Sequence, residues 1–374
     1  MSLSMLKASV VSLQGYGRLL GSKLDIKDAK ILETVYRVGP RNLSEVSRVT
    51  GLPLSTIYRR IYTMRKLGIR LRPTIIPERV GLGRALVITE RDIIDRDTSP
   101  AGHWLSTYMP LISPPGSLLI YYYPIDRPQL IDQYFKRAKR DGIVEDYTII
   151  KLINAYNSPE NLFKYFDFNT KSIILPWEEW INNLYTEEYE LFYKEPLPPL
   201  LRKHDPLMPR DRLDLLILKE LEVDALASFT ELARRINVPE HSIRFHFHSH
   251  INERGVVHNY VPKASFFDLR FSYHIVYLIR YGNFEGFTRF LMTLWRSPIL
   301  LGVGKLEDGP YDIIMSLIIP YSEIGNLNRF FKLSQHWGFI KRYKSFAIDM
   351  TNYRRRSIPY KNFDPDLRRW IDKP

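Results

Sequence analysis

Slid along itself by about 186 positions, the chain meets its own pattern. DAKILETVYRVGPRNLSEVSRVTGLPLSTIYRRI, beginning at Asp28, then lies over DLLILKELEVDALASFTELARRINVPEHSIRFHF, beginning at Asp214. Asp28 meets Asp214, Ile31 meets Ile217, Leu32 meets Leu218, Pro53 meets Pro239 and Ile57 meets Ile243. Punctuation matches as well as hydrophobicity, so the chain is expected to execute one structural plan twice.

Each copy reads as three helices. Ile31, Leu32 and Val35 give the first an apolar face. Asn42 with Glu45, and Ser228 with Glu231, fit an N-cap and its capping-box partner at the start of the second helices. Gly51 and Asn237, the residue types that best tolerate a left-handed C-terminal cap, end them, with proline two positions on. A third helix is expected from about Ser55 to Lys66 and from about His241 to Glu253, stopped by Gly68 and Gly255. The extended pieces IRLRPTII and VVHNYVPK come next. Helix, helix, tight turn, helix and a short strand pair is the order of a winged helix-turn-helix.

The segments after each trio also repeat. LGRALVITE reads as a strand, PAGHWLSTYM as a helix, SLLIYYYP as a strand, RPQLIDQYFKRAKRDG as a helix and DYTIIKLINAY as a strand. FSYHIVYLIRY, FEGFTRFLMTLW, ILLGVGKL, YDIIMSLIIP, SEIGNLNRFFKLSQHWG and KRYKSFAIDMT repeat that order, the βαββαβ plan of a ferredoxin-like sandwich. Phe166, Asp167 and Trp177 in KYFDFNTKSIILPW are answered by Phe363, Asp364 and Trp370 in KNFDPDLRRW. The proline-dense EPLPPLLRKHDPLMP reads as a linker. The expected class is α+β: winged helix-turn-helix domains at 24–76 and 209–264 and ferredoxin-like domains at 77–157 and 265–352. A linker with a helical segment occupies 158–208 and a basic tail 353–374.

Composition narrows the chemistry. With no cysteine among 374 residues, disulfides, thiolate metal sites and Cys nucleophiles are excluded. A formal net charge of +13 favours a polyanionic partner. No stretch approaches the ~18 consecutive apolar residues of a membrane-spanning helix, and Gln14 and Gly15 interrupt the early apolar run before a signal peptide can be read. The expected location is the cytoplasm, with no membrane contact.

At GLPLSTIYRRIYTMRKLGI with the adjoining PERVGLGRALVITE, and at NVPEHSIRFHFHSHINERGVV with GPYDIIMSLIIP, the chain resembles the Lrp/AsnC family of transcription regulators. That resemblance covers nearly the whole chain, twice, and implies a fused, diverged pair of units, double-stranded DNA as partner, and homodimerisation. It also implies a small amino-acid-like effector, held in the second half by Gly309, Tyr311 and Asp312. The first half keeps only Gly116 of that hairpin pattern and lacks the aspartate.

The third helix of the first copy carries the DNA expectation. With Ile57 inward and ~100° per residue, Ile61 and Met64 stay inside while Ser55, Arg59, Tyr62 and Lys66 point outward, flanked by Tyr58, Thr63 and Thr56. A helix so decorated suits the major groove, with Arg60, Arg65, Arg70 and Arg72 set to contact phosphates. In the second copy the same wheel places Phe247 inside and His241, Phe245, His248 and Asn252 outside, with Arg244 and Ser249 beside them. That helix is nearly neutral, so any DNA binding there would strengthen as His241 and His248 gain protons.

Other patterns are weaker. His246 and His250 in HFHSH share a helix side at i, i+4, and Glu253 adds a carboxylate at i+7; packing histidines explain this more simply, and no metal or cofactor is expected. GVGKLEDG misses the GxxxxGK[ST] spacing, and GYGRLLG lies outside any strand-to-helix βαβ setting. Asp364 with Asp366 and Glu178 with Glu179 read as surface charge, and Arg354, Arg355 and Arg356 read equally as a phosphate grip or a solvated run. The leading expectation is therefore a non-enzymatic, sequence-specific transcription regulator. Architectural DNA binding is one alternative. The other is enzymatic: siroheme decarboxylases resemble the same two-part architecture, which implies basic and histidine side chains for an acidic tetrapyrrole, with His258 and His274 as acid–base candidates and only His103 in the first half.

Overall fold

The computed structural model describes residues 24–92, 99–157, 164–169, 172–186, 200, 204–262, 267, 269–295 and 297–372. The glycines of GYGRLLG and most of the proline-dense linker lie outside them. The described residues gather in two units, each drawn from three stretches: Met1–Ile69, Asn154–Arg202 and Lys263–Ala347 in the first, and Arg70–Ile153, Lys203–Pro262 and Ile348–Pro374 in the second.

In chain order the elements begin with α1 (Ile26–Val38), α2 (Leu43–Thr50), α3 (Leu54–Lys66), β1 (Leu71–Ile75), β2 (Leu82–Thr89), β3 (Leu105–Ser113), β4 (Ser117–Pro124), α4 (Leu130–Arg140) and β5 (Tyr147–Asn157). Then come β6 (Phe166–Asp167), β7 (Ser172–Ile173), α5 (Trp177–Tyr185), α6 (Arg212–Val223), α7 (Phe229–Ile236) and α8 (Glu240–Phe245), which continues as a π-helical segment over His246–Asn252. β8 (Val257–Pro262), β9 (Ser272–Tyr281), α9 (Phe284–Trp295), β10 (Leu300–Leu306), β11 (Ile313–Pro320), α10 (Ile324–His336) and β12 (Ile340–Ile348) succeed them, with short β13 (Arg354–Arg355), β14 (Phe363–Asp364) and β15 (Arg369–Trp370) at the end. The class is α+β, with winged helix-turn-helix and ferredoxin-like parts.

Both helix trios start from carboxylates. Asp25 accepts the N–H groups of Lys27 and Asp28 at 2.8 and 3.0 Å, while Asp28 accepts the N–H of Asp25 at 3.1 Å. Asp211 and Asp214 build the same reciprocal box at the start of α6. On the second helices, Ser228 and Glu231 form the expected box, but Asn42 only accepts the Glu45 N–H at 3.4 Å. Arg48 draws the Glu45 carboxylate away, at 2.5 and 2.7 Å. Gly51 (φ +70°) and Asn237 (φ +61°) hold the left-handed caps. Ile57, Ile61 and Met64 are buried, as are Ile243 and Phe247.

Two expectations give way to tertiary context. The strand after each trio does not fold back on a neighbour within its own half. Instead β1 pairs antiparallel with β8, Leu71 opposite Pro262 and Pro73 opposite Tyr260. PAGHWLSTYM is not a helix: a short turn at Gly102–Trp104 leads into β3, which pairs with β4 from Leu105 opposite Tyr121 to Pro110 opposite Ser117. Ser106 and Thr107 are weak helix formers, and both are buried in the sheet.

In the second unit β2 lies between β4 and β5, with β3 beyond β4 and β13 on β3. Its core joins Leu119, Tyr121 and Phe135 to Leu215, Leu218 and Ile243 of the helix trio and to Phe363 and Trp370 of the C-terminal hairpin. In the first unit the strand order is β12–β9–β11–β10. Ile275, Tyr277, Ile279 and Tyr281 of β9 pack with Phe287 and Phe290 of α9, Phe330 and Phe331 of α10, and Trp180 of α5. Burying each such ring contributes about 2–3 kcal/mol. α5 is tied down by Arg289, which donates to the carbonyls of Leu184 (3.1 Å) and Thr186 (2.7 Å), and by the Trp177 indole, which donates to Glu323 (2.7 Å).

Candidate active site

Because strand side chains alternate, the residues of β9 between the core positions face away from the helices: His274, Val276, Leu278 and Arg280. Register carries that face across the sheet. On β12, Phe346 stands opposite Val276, Lys344 opposite Leu278 and Arg342 opposite Arg280. On β11, Ser316 stands opposite Val276 and Ile314 opposite Leu278, and on β10 Gly302 and Gly304 face these in turn. Gly304 is required there, since a Cβ would lie 2.9 Å from the Ile314 side chain and 3.3 Å from Ala155. One end of the face is therefore basic, with Arg342 and Lys344 exposed, and the other holds an imidazole.

His274 is 5% exposed and shares a 2.7 Å hydrogen bond between Nε2 and Ser316 Oγ. Burial pushes its pKa from 6.5 down to about 4, so it is neutral at pH 7. A buried neutral histidine has a stability signature. Below about pH 6.5 the unfolded chain takes up a proton that the folded chain refuses, so stability falls as pH drops from about 6.5 to about 4, by about 3 kcal/mol in total. His274→Gln should remove that slope. Denaturant unfolding of both proteins across this range measures it, and parallel curves would contradict it.

The remaining sequence candidates are dispersed. Gly309, Tyr311 and Asp312 share one hairpin, where Arg280 Nε and Nη2 donate to Asp312 Oδ2 at 2.8 and 2.7 Å and Tyr311 stacks on Phe287. The buried Lys305 ammonium donates to the carbonyls of Leu306 and Gly309. The Asp312 carboxylate is thus paired with β9, and the Gly309 carbonyl with Lys305. His258 is exposed on β8, and His103 binds Asp372 in the second unit at 2.6 Å. Arg355 approaches Glu222 at 3.9 Å, and Arg356 donates to the Gly102 carbonyl at 2.6 Å. Ser316, Arg280, Arg342 and Lys344 escaped the sequence reading. A period of two counted from His274 reaches Arg280, but Arg342 and Lys344 need the β9–β12 register.

On α3, Ser55, Tyr58, Arg59, Tyr62, Thr63 and Lys66 are exposed, Thr56 and Arg65 are half-buried, and the Lys66 ammonium lies 4.5 Å from the Tyr62 ring centre. Arg60 is turned inward: its Nη1 lies 2.8 Å from Asp28 Oδ1 and 2.9 and 3.0 Å from the Asp25 oxygens. Those contacts raise the guanidinium pKa, the Asp28 hydrogen bond most, and occupy the charge expected to meet phosphate. Arg70 and Arg72 are half-buried, with Arg70 3.6 Å from Asp224. On α8 and its extension, His241, Phe245 and His248 are exposed, and Arg244 is paired with Glu240 at 2.6 Å. Arg60→Ala should cost about 1–3 kcal/mol by leaving the buried Asp28 without its cation, read as a lower unfolding midpoint; an unchanged midpoint would contradict the pairing.

No family model matches the chain, and no curated protein matches it. Among solved structures, the siroheme decarboxylase NirDL is similar over 91% of this chain and 96% of its own, at 14% identity and a TM-score of 0.49. NirDL in complex with an iron-uroporphyrin III analogue covers 89% and 94%, at 13% identity and the same score. The transcriptional regulator NMB0573 with L-Met, from Neisseria meningitidis, covers 35% of this chain and 91% of its own, at 20% identity and a TM-score of 0.29. At these identities the likeness is one of fold. The expectation of a DNA-binding regulator without catalytic activity is corrected by these findings, since the structures matched along most of the chain are of an enzyme and the regulator spans about a third. Among the described residues no helix is long and apolar enough to cross a membrane.

Proposed function

We infer that this protein is an enzyme acting on an acidic tetrapyrrole, removing carboxyl groups as carbon dioxide in the manner that the name siroheme decarboxylase describes. The observation that carries the reading is the β9 face: a buried neutral imidazole at one end and Arg280 at the other, with Arg342 and Lys344 beside it. Arg280 lies six positions along the strand from His274, about 20 Å at ~3.3 Å per residue. That span suits a broad ligand with carboxylates around its rim better than a single amino acid.

Arg342 and Lys344 bind peripheral carboxylates through charge-assisted hydrogen bonds. A carboxylate brought beside His274 favours its imidazolium form. Loss of carbon dioxide leaves an electron pair on the side-chain carbon; the imidazolium proton moves there, and solvent reprotonates the ring. Ser316 holds the imidazole in place.

The chain reads as a fused and diverged pair of units. Supporting this, α2 and α7 begin and end at the 186-residue offset, and the β6–β7 and β14–β15 hairpins recur at Phe166 and Phe363.

Titration with iron-uroporphyrin III, followed by its visible absorption, tests the binding half. Wild-type protein should bind it, and the Arg342→Ala, Lys344→Ala pair should bind about 10- to 100-fold more weakly. Equal binding by both proteins would overturn the assignment of this face.

A further inference from the structure

In the second helix trio, Asp211, Asp214, His246 and His250 bring one ligand atom each to within 4.8 Å of one another. His246 Nδ1 lies 2.9 Å from Asp214 Oδ1 and 3.4 Å from Asp211 Oδ2, and His250 Nδ1 lies 3.0 Å from the same Asp214 oxygen. The carboxylates arrive with their other oxygens already used. Asp211 Oδ1 accepts the N–H groups of Leu213 and Asp214, and Asp214 Oδ2 accepts those of Arg210 and Asp211. Each carboxylate of the cap therefore leaves one oxygen facing the histidines. Glu253, the carboxylate expected from spacing, is exposed and outside this cluster.

The first trio shows what such a carboxylate pair demands. At the 186-residue offset Asp25 and Asp28 stand for Asp211 and Asp214, Arg60 stands for His246 and Met64 for His250. There the guanidinium of Arg60 lies against both carboxylates at 2.8–3.0 Å. The second trio has no cationic side chain at that position. It offers instead two imidazoles, aligned where the helix widens into its π-helical segment, their ring centres 4.6 Å apart.

We propose that Asp211, Asp214, His246 and His250 bind a divalent transition metal of the zinc kind, which takes the structural place that the Arg60 guanidinium holds in the first trio. A tetrahedral site with metal–ligand bonds of ~2.0–2.2 Å has ligand–ligand edges of about 3.3–3.6 Å; three of the six edges here measure 2.9, 3.0 and 3.4 Å and none exceeds 4.8 Å, so small side-chain shifts bring all four atoms to one ion. Two carboxylates and two neutral imidazoles balance the charge of a divalent ion. Four protein ligands close the site, so the metal clamps the third helix to the first without performing chemistry.

The test is cobalt(II) binding to the full chain stripped with a chelator. Wild-type protein should take up one equivalent, show the visible absorption of four-coordinate cobalt, release it to zinc, and unfold at a higher temperature with zinc than without. Variants His250→Ala and Asp211→Asn should bind at least about 100-fold more weakly. His246→Arg restores the arrangement of the first trio, and should fold with an unfolding midpoint near that of the zinc-loaded protein while taking up no cobalt. Absence of cobalt uptake by wild-type protein, or uptake unchanged in folded His246→Arg, would overturn the site.

Discussion

His274→Gln should slow decarboxylation by about 100- to 10,000-fold, the range typical of losing a positioned proton donor, while tetrapyrrole binding changes little. Glutamine keeps a hydrogen-bonding side chain of similar reach for Ser316 but delivers no proton at neutral pH. The split between turnover and binding is the diagnostic: Arg342 and Lys344 should act on binding, His274 on turnover. Ser316→Ala should fall between, because removing the hydroxyl that shares the 2.7 Å bond loosens the imidazole without deleting it. If His274→Gln turns over at the wild-type rate, the imidazole is only a packing residue of the sheet.

Trp370→Ala should destabilise the second unit by about 4–6 kcal/mol. The indole is 2% exposed, packs against Phe363 and Trp104 with ring centres 5.3 and 6.2 Å away, and donates from Nε1 to the Val80 carbonyl at 2.8 Å. Truncating a buried ring of this size costs about 3–5 kcal/mol, and the carbonyl left unpaired adds about 1 kcal/mol. Trp370→Phe, which keeps a ring and loses the donor, should cost less than half as much. Denaturant unfolding measures both, and a loss under about 1 kcal/mol for alanine would mean that the C-terminal hairpin is not part of this core.

Local pattern is legible where the period of an element and its burial agree. Ile57, Ile61 and Met64 announce the inner side of α3, and Gly51 and Asn237 announce the ends of α2 and α7, because a 3.6-residue period and a left-handed cap are written within a few positions. Features that depend on distant partners are not legible in this way. β1 meets β8 at separations of 182 to 191 residues, so nothing in IRLRPTII names its partner. PAGHWLSTYM carries apolar residues at positions that fit a helix, and only pairing with β4 makes it a strand. Arg60 looks like one more outward charge; the carboxylates that claim it lie 32 and 35 residues earlier in the sequence.

The same limit shapes the candidate site. His274 is recognisable as an acid–base candidate from residue type alone, but its depressed pKa comes from burial, which one sequence does not display. Arg342 and Lys344 join His274 on one face only through the alignment of β12 with β9. The metal cluster is half visible: the i, i+4 spacing of His246 and His250 puts them on one side of a helix, and the carboxylates that complete the set stand at the repeat offset of Asp25 and Asp28, but nothing local ties them to those histidines. Asp211 and Asp214 belong to a cap, and a cap lies far in sequence from the third helix it faces.

In the proposed function this chain removes carbon dioxide from the carboxylated side chains of a tetrapyrrole. Incubating the purified protein with siroheme and following the product by mass spectrometry tests it directly. The account predicts successive losses of carbon dioxide with wild-type protein, strongly slowed in His274→Gln. Siroheme recovered intact after prolonged incubation with folded wild-type protein would contradict it.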